Sequence, residues 1–250
     1  MMLGLAFLLA LAAPAPLSIH QPAPAVGTER QLLGGRSFTV SRSVRRKRSG
    51  PSDDGNLPPE LRLNRRLVQI ARPANASERG WNRAMQAWLR EGEALAFPGE
   101  PRGFASWEGP GQVDVEVELV AASPDLIVTR LGASTYFGGP HPNFVSRVML
   151  WSVPLGRPLR NAEIFADVAN PRLRALVLQH FDQQGCELPD LARTKFLPMP
   201  DAMVFEFDPY EIGPYTCGGT SRVAWREAAG FLRARLPFDR TKLERAPERR

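Results

Sequence analysis

Histidine is scarce in this 250-residue chain, which has His20, His141 and His180 beside two cysteines and three tyrosines. A zinc site normally draws several His or Cys ligands, and so few residues can hardly supply one. Neither a G-x-S-x-G nor an H-E-x-x-H segment is present. No catalytic residue, metal or cofactor is therefore assigned, and the chain reads as a non-enzyme. Long apolar runs are missing too. A spanning helix needs about 20 predominantly apolar residues, and Pro14 and Pro16 stop the N-terminal run Met2 to Ala13 too soon.

That short run has the length of a signal-peptide core. Ala13 and Ala15, or Ala23 and Ala25, offer A-x-A cleavage sites, so residues 1–25 are expected to be a signal peptide. The alternatives are a short uncleaved anchor or a buried helix. No Lys or Arg precedes the run, which is unusual for a leader. No cysteine follows it, which argues against a lipoprotein. The mature chain is then periplasmic or secreted. In an oxidising compartment the even pair Cys186 and Cys217 reads as one disulfide, with two free buried thiols as the alternative.

The net charge of +6 is unevenly spread. Residues 27–72 hold eleven Arg/Lys against four Asp/Glu, and residues 73–250 hold twenty-one against twenty-two. A nucleic-acid binder would show a basic face on the fold itself, so none is expected. Residues 26–60, rich in Pro, Gly, Ser and Arg, read as a disordered basic linker. Arg45-Arg46-Lys47-Arg48 could touch an anionic membrane surface, although a solvated tether is the simpler reading.

Order is expected from Leu61. Leu63 to Ala71 suits a strand, and Ser77 can cap a helix whose Trp81, Met85, Trp88 and Leu89 share one face. These make up an N-terminal strand-helix subdomain, residues 61–110. Val113 to Val120 alternates apolar and acidic residues, the mark of a half-buried strand. Leu126 to Phe137 and Phe144 to Val153 suit two more strands. Asn170 and Pro171 can open a helix that places His180 against the core. Met203 to Phe207 and Ser221 to Trp225 suit strands, and Arg226 to Leu236 a last helix. Residues 111–238 thus form an α+β domain, residues 239–250 a polar tail. The fold class is α+β, an antiparallel sheet with packed helices.

Two segments carry a resemblance. Tyr136-Phe137-Gly138-Gly139-Pro140-His141-Pro142-Asn143 resembles the Tyr-x-Gly-Gly-x-His-x-Asn signature of an envelope domain family of unknown function. Val204 to Tyr215, followed by Gly218, resembles that family's C-terminal strand and turn. The family includes the extracytoplasmic part of lysozyme-sensing anti-sigma factors and the non-catalytic module of some peptidoglycan deacetylases. A helix bearing an Asn, here Asn82, is similar to its companion subdomain. The chain has neither a sigma-binding segment and long spanning helix nor a deacetylase domain.

The resemblance implies a fold and an envelope location and transmits no partner. An exported, nearly neutral body with no catalytic constellation reads as a binding module for an envelope protein or glycan. A lysozyme-like protein, by analogy with the relatives, or peptidoglycan is the candidate. The residues proposed to meet it are Tyr136, Gly138, Gly139, His141, Asn143, Asp208, Tyr210 and Tyr215. For most of them a structural role in turns and strand ends is the simpler reading. A cell-wall hydrolase using His141 and Asp208 is the first alternative, and a structural envelope protein the second.

Overall fold

Strand β4 (Gly111–Ala122) shows how pattern becomes structure. Val113, Val115 and Val117 are fully buried beneath a helix, and Asp114, Glu116 and Glu118 point to the other face. Around β4 the computed structural model builds an eight-stranded sheet. The structure describes residues 27–48, 60–96, 111–136, 141–181, 186, 191–211 and 217–247. The expected signal peptide, residues 1–25, lies outside them.

The sheet runs β1 (Gly27–Leu33), β2 (Arg36–Arg48), β3 (Glu60–Ile70), β4, β5 (Leu126–Tyr136), β6 (Asn143–Ser152) and β7 (Arg157–Pro158). Neighbours are antiparallel except β3 and β4, which are parallel. The cause is helix α1 (Ala76–Ala96), which joins them: a crossover of that length brings the chain back in the same direction. The sheet is therefore mixed rather than antiparallel throughout. It also runs unbroken across the boundary expected at residue 110.

The linker reading of residues 26–60 is corrected for the part the structure describes. Residues 27–48 form the β1–β2 hairpin, paired in register from Gly27↔Arg42 to Leu33↔Arg36. Gly34 and Gly35 make its turn with φ of +53° and +73°, values that glycine adopts without steric penalty. A Cβ on Gly34 would sit 2.9 Å from the Ser123 nitrogen. The turn is moored on three sides. Gly34 N donates to Glu244, and Arg36 donates to Glu78 and to the Ser123 and Pro124 carbonyls. Phe38 is fully buried and meets Trp81 edge-on, with ring centroids 5.7 Å apart.

On α1, Trp81 and Met85 are buried as expected. Its cap is Asn75, whose side chain accepts from Glu78 N. Ser77 instead accepts from the Trp151 indole. Asn82 bonds both the amide and the carbonyl of Ile70, fastening helix to strand.

The opposite face of β4–β6 packs Ala121, Leu126, Val128 and Leu150 against a second core. That core belongs to a three-stranded antiparallel sheet, β8 (Lys195–Pro198), β9 (Ala202–Phe207) and β10 (Gly219–Ala224), with α2 (Pro171–Gln179) and α3 (Trp225–Ala228). Phe165, Phe196 and Phe205 meet at its centre, edge-on or tilted. Asn170 caps α2 through Arg172 N, and Pro171 follows at the first helical position. Cys186 and Cys217, both buried, are joined by a disulfide.

Two more expectations are corrected. The last helix stops at Ala228 and tightens into a 3-10 turn at Ala229–Phe231; Gly230, a poor helix former, lies there. The polar tail expected over residues 239–250 packs back onto the fold over its described length. Phe238 and Leu243 are buried, and β11 (Glu244–Arg245) pairs with β4 at Ala121 and Ala122. That is the stretch of β4 beyond its pairing with β3, which ends at Arg66↔Glu116. The open edge of a central strand is thereby covered.

Candidate functional site

The chain leaving β9 turns sharply at Asp208-Pro209-Tyr210-Glu211. Glu211 N returns to the Asp208 carbonyl at 3.0 Å, closing a four-residue turn. Tyr210 occupies its third position with φ of +66°, left-handed backbone that a turn of type II requires there. Glycine or asparagine is the usual occupant. A tyrosine in that conformation costs roughly 1–3 kcal/mol, a strain that concentrates at functional sites. Gly218 packs under the turn, where a Cβ would lie 2.8 Å from the Pro209 nitrogen. Tyr210 projects outward, 60% exposed.

Beneath it, Asp208 is almost completely buried and fully engaged. One carboxylate oxygen accepts from Ser146 N (2.7 Å) and Lys195 Nζ (2.8 Å), the other from Ser146 Oγ (2.5 Å). Ser146 lies on β6 and Lys195 opens β8, so this one side chain ties the second sheet to the first. Glu211 accepts from Asp208 N and Lys195 Nζ, completing the knot. Without Lys195 the buried carboxylate would lack compensation for its lost hydration.

The fold brings the two sequence motifs together here. Tyr210 Oη stands 3.1 Å from His141 Nε2, with ring centroids 5.9 Å apart. His141 Nδ1 lies 3.3 Å from the Pro142 carbonyl. A carbonyl only accepts, so Nδ1 carries the proton in that contact, and Nε2 of the neutral ring accepts from the tyrosine hydroxyl. Asn143 begins β6 opposite Thr135 and is exposed, while Tyr136 ends β5, half-buried, opposite Gln112. Gly138, Gly139 and Tyr215 lie outside the described residues.

Next to this knot opens a groove of about 750 Å³. One wall is β6 from Phe144 to Leu150, and the other is the segment 192–196 with the turn 208–211. His141 stands outside its lining. Among the described residues, Lys195, Arg147, Arg160 and Arg193 line it against two carboxylates, Asp208 and Glu211. Phe144 and Tyr210 bring exposed rings to it, and Trp88 a partly buried one.

The end of the groove is braced by side chains with no local sequence signal. Asn161 Nδ2 donates to both the Leu191 and Thr194 carbonyls at 2.9 Å. Glu163 bonds Arg157 and the Arg160 amide, and these bonds, that to Arg157 foremost, pull its carboxyl down to about 2. Sequence reading missed Ser146, Lys195, Glu211, Arg147, Arg160, Asn161 and Arg193. They meet across long separations, and only Glu211 stands inside a recognisable motif. Among the described residues no three His, Cys, Asp or Glu side chains gather as a metal site.

The fold is similar to two solved structures described as members of the DUF3298 family. One, from Bacteroides fragilis, is 15% identical with a TM-score of 0.59, over 82% of this chain and 96% of that one. The other, from Pseudomonas aeruginosa PAO1, is 12% identical with a TM-score of 0.53, over 85% of this chain and 96% of that one. At such identities the likeness shows a shared fold, that of a domain of unknown function. No family model matches the chain, and no curated protein does.

Proposed function

We propose that this chain is an exported, non-catalytic binding module of the bacterial cell envelope, recognising an envelope glycan or protein. Peptidoglycan and lysozyme-like proteins are the candidate partners. The observation that carries the reading is the meeting of the two motifs beside one open groove, with Tyr210 strained into a left-handed turn and contacting His141. A volume of several hundred Å³ suits a ligand. Exposed rings beside guanidinium groups suit sugar faces and peptide carboxylates.

The hydrolase alternative asks for a carboxylate free to move a proton. Asp208 instead receives three donors and acts as a structural knot. Export is supported by the disulfide, since such bonds persist in oxidising compartments. No helix among the described residues is long and apolar enough to cross a membrane.

The test is cosedimentation of the protein, recovered from a periplasmic fraction, with purified peptidoglycan sacculi, and in parallel its retention on immobilised lysozyme. Saturable binding to either at physiological salt, without release of soluble fragments, is the expected result. Release of muropeptides would instead make the chain a hydrolase. Retention by neither partner would remove the recognition reading.

A further inference from the structure

We propose that Arg160 and Arg193 form a paired guanidinium clamp that takes carboxylates of an anionic glycopeptide lying in the groove. The inference rests on the binding-module reading and names the ligand chemistry its groove selects. Among the described residues, four cations against two carboxylates leave the lining with a surplus of two positive charges. These cations are not equivalent. Lys195 is consumed by Asp208 and Glu211 within the knot, and Arg147 pairs with Glu91 of α1. Arg160 is 84% exposed, and its nearest carboxylate, Glu163 at 3.8 Å, is already bonded by Arg157. Arg193, also exposed, has no hydrogen-bond or ion-pair partner among the described residues. The surplus therefore sits at these two residues, at one end of the groove.

Their placement is built rather than accidental. Arg160 immediately precedes Asn161, and Arg193 immediately precedes Thr194. The Asn161 amide joins the two segments through the Leu191 and Thr194 carbonyls. Glu163 secures the other side by accepting from the Arg160 amide. Two backbone segments about 30 residues apart in sequence are thus locked together, each presenting a guanidinium beside the same cavity. Arginine forks pair with carboxylates bidentately and lose little freedom when they do so. Further along, Phe144 and Tyr210 offer exposed apolar rings that sugar or peptide faces can cover. Carboxylates spaced along a chain with apolar faces between them describe the glycan-and-peptide repeat of peptidoglycan, and a strongly basic protein would be repelled by this end of the groove.

The experiment uses the full exported chain and two soluble probes: a disaccharide-peptide fragment of peptidoglycan with free carboxylates, and the same fragment with those carboxylates amidated. Calorimetric titration is run on the wild type, Arg160→Gln, Arg193→Gln and the double variant. Both arginines are exposed, so thermal melting should be unchanged and serves as the folding control. Affinity is expected to fall about tenfold for each single variant, to fall similarly on amidation, and to weaken with added salt. In the double variant, amidation should then make no further difference. If wild type and double variant bind the free-acid fragment equally, or amidation does not weaken wild-type binding, the clamp is wrong, while sacculus cosedimentation still stands for the binding-module reading. If neither sacculi nor immobilised lysozyme retains the protein, both fall.

Discussion

Asp208 holds more of this site in place than any side chain around it. Its carboxylate receives the Ser146 amide and hydroxyl and the Lys195 ammonium in a nearly dry setting. Removing one member of a buried charged set leaves the other uncompensated, at about 3–5 kcal/mol. Asp208→Ala is therefore expected to lower the urea unfolding midpoint by that equivalent, stranding Lys195 beside Glu211 alone. A change below about 1 kcal/mol would mean that the knot is solvated and Asp208 is available for other work. Asp208, Tyr210 and His141 were legible as motif residues, but their division of labour was not. The turn exposes Tyr210 and buries Asp208, and nothing in the local pattern Phe-Asp-Pro-Tyr separates those fates.

At the scale of elements, the β1–β2 hairpin departs most from what composition implies. Its sequence carries Arg42, Arg45 and Arg46, and charge density of that kind usually marks solvated chain. Yet Leu33-Gly34-Gly35-Arg36 is a two-residue hairpin signal, and Phe38 and Val40 alternate on the strand that follows it. The arginines are accommodated because Arg42 pairs with Glu29, while Arg65 and Arg66 on the neighbouring strand pair with Glu93 and Glu118. Phe38→Ala empties a fully buried ring site against Trp81 and is expected to cost about 3–5 kcal/mol. In native wild-type protein, trypsin should leave the bonds after Arg42, Arg45 and Arg46 uncut, with cleavage appearing in the variant. Rapid cutting there in the wild type would restore the linker reading.

At the scale of the whole molecule, two cores share one sheet, and the disulfide staples the chain after α2 to the start of β10 in the second of them. Its residues lie 31 apart in sequence. Closing a loop of that length stabilises the folded state by about 3–4 kcal/mol in the chain-entropy model. Replacing both cysteines with alanine should lower stability by that amount in urea titration. Equal stability with and without the bond would remove it as a determinant of the fold.

Local pattern was enough to place β4, β5, β6, β9 and the buried face of α1; in β4 and α1 it is period-2 and period-3.6 burial written into neighbouring residues. The capped start of α2 was legible for the same reason. Three things depended on tertiary structure alone: the parallel β3–β4 pairing, the placing of residues 27–48 and 244–245 on the sheet, and the groove. Ser146 meets Asp208 across 62 residues, and Asn161 holds Thr194 across 33. No local preference encodes such meetings. They arise when two apolar faces of one sheet are buried on opposite sides, which leaves polar side chains from distant segments to pair at the seam between them.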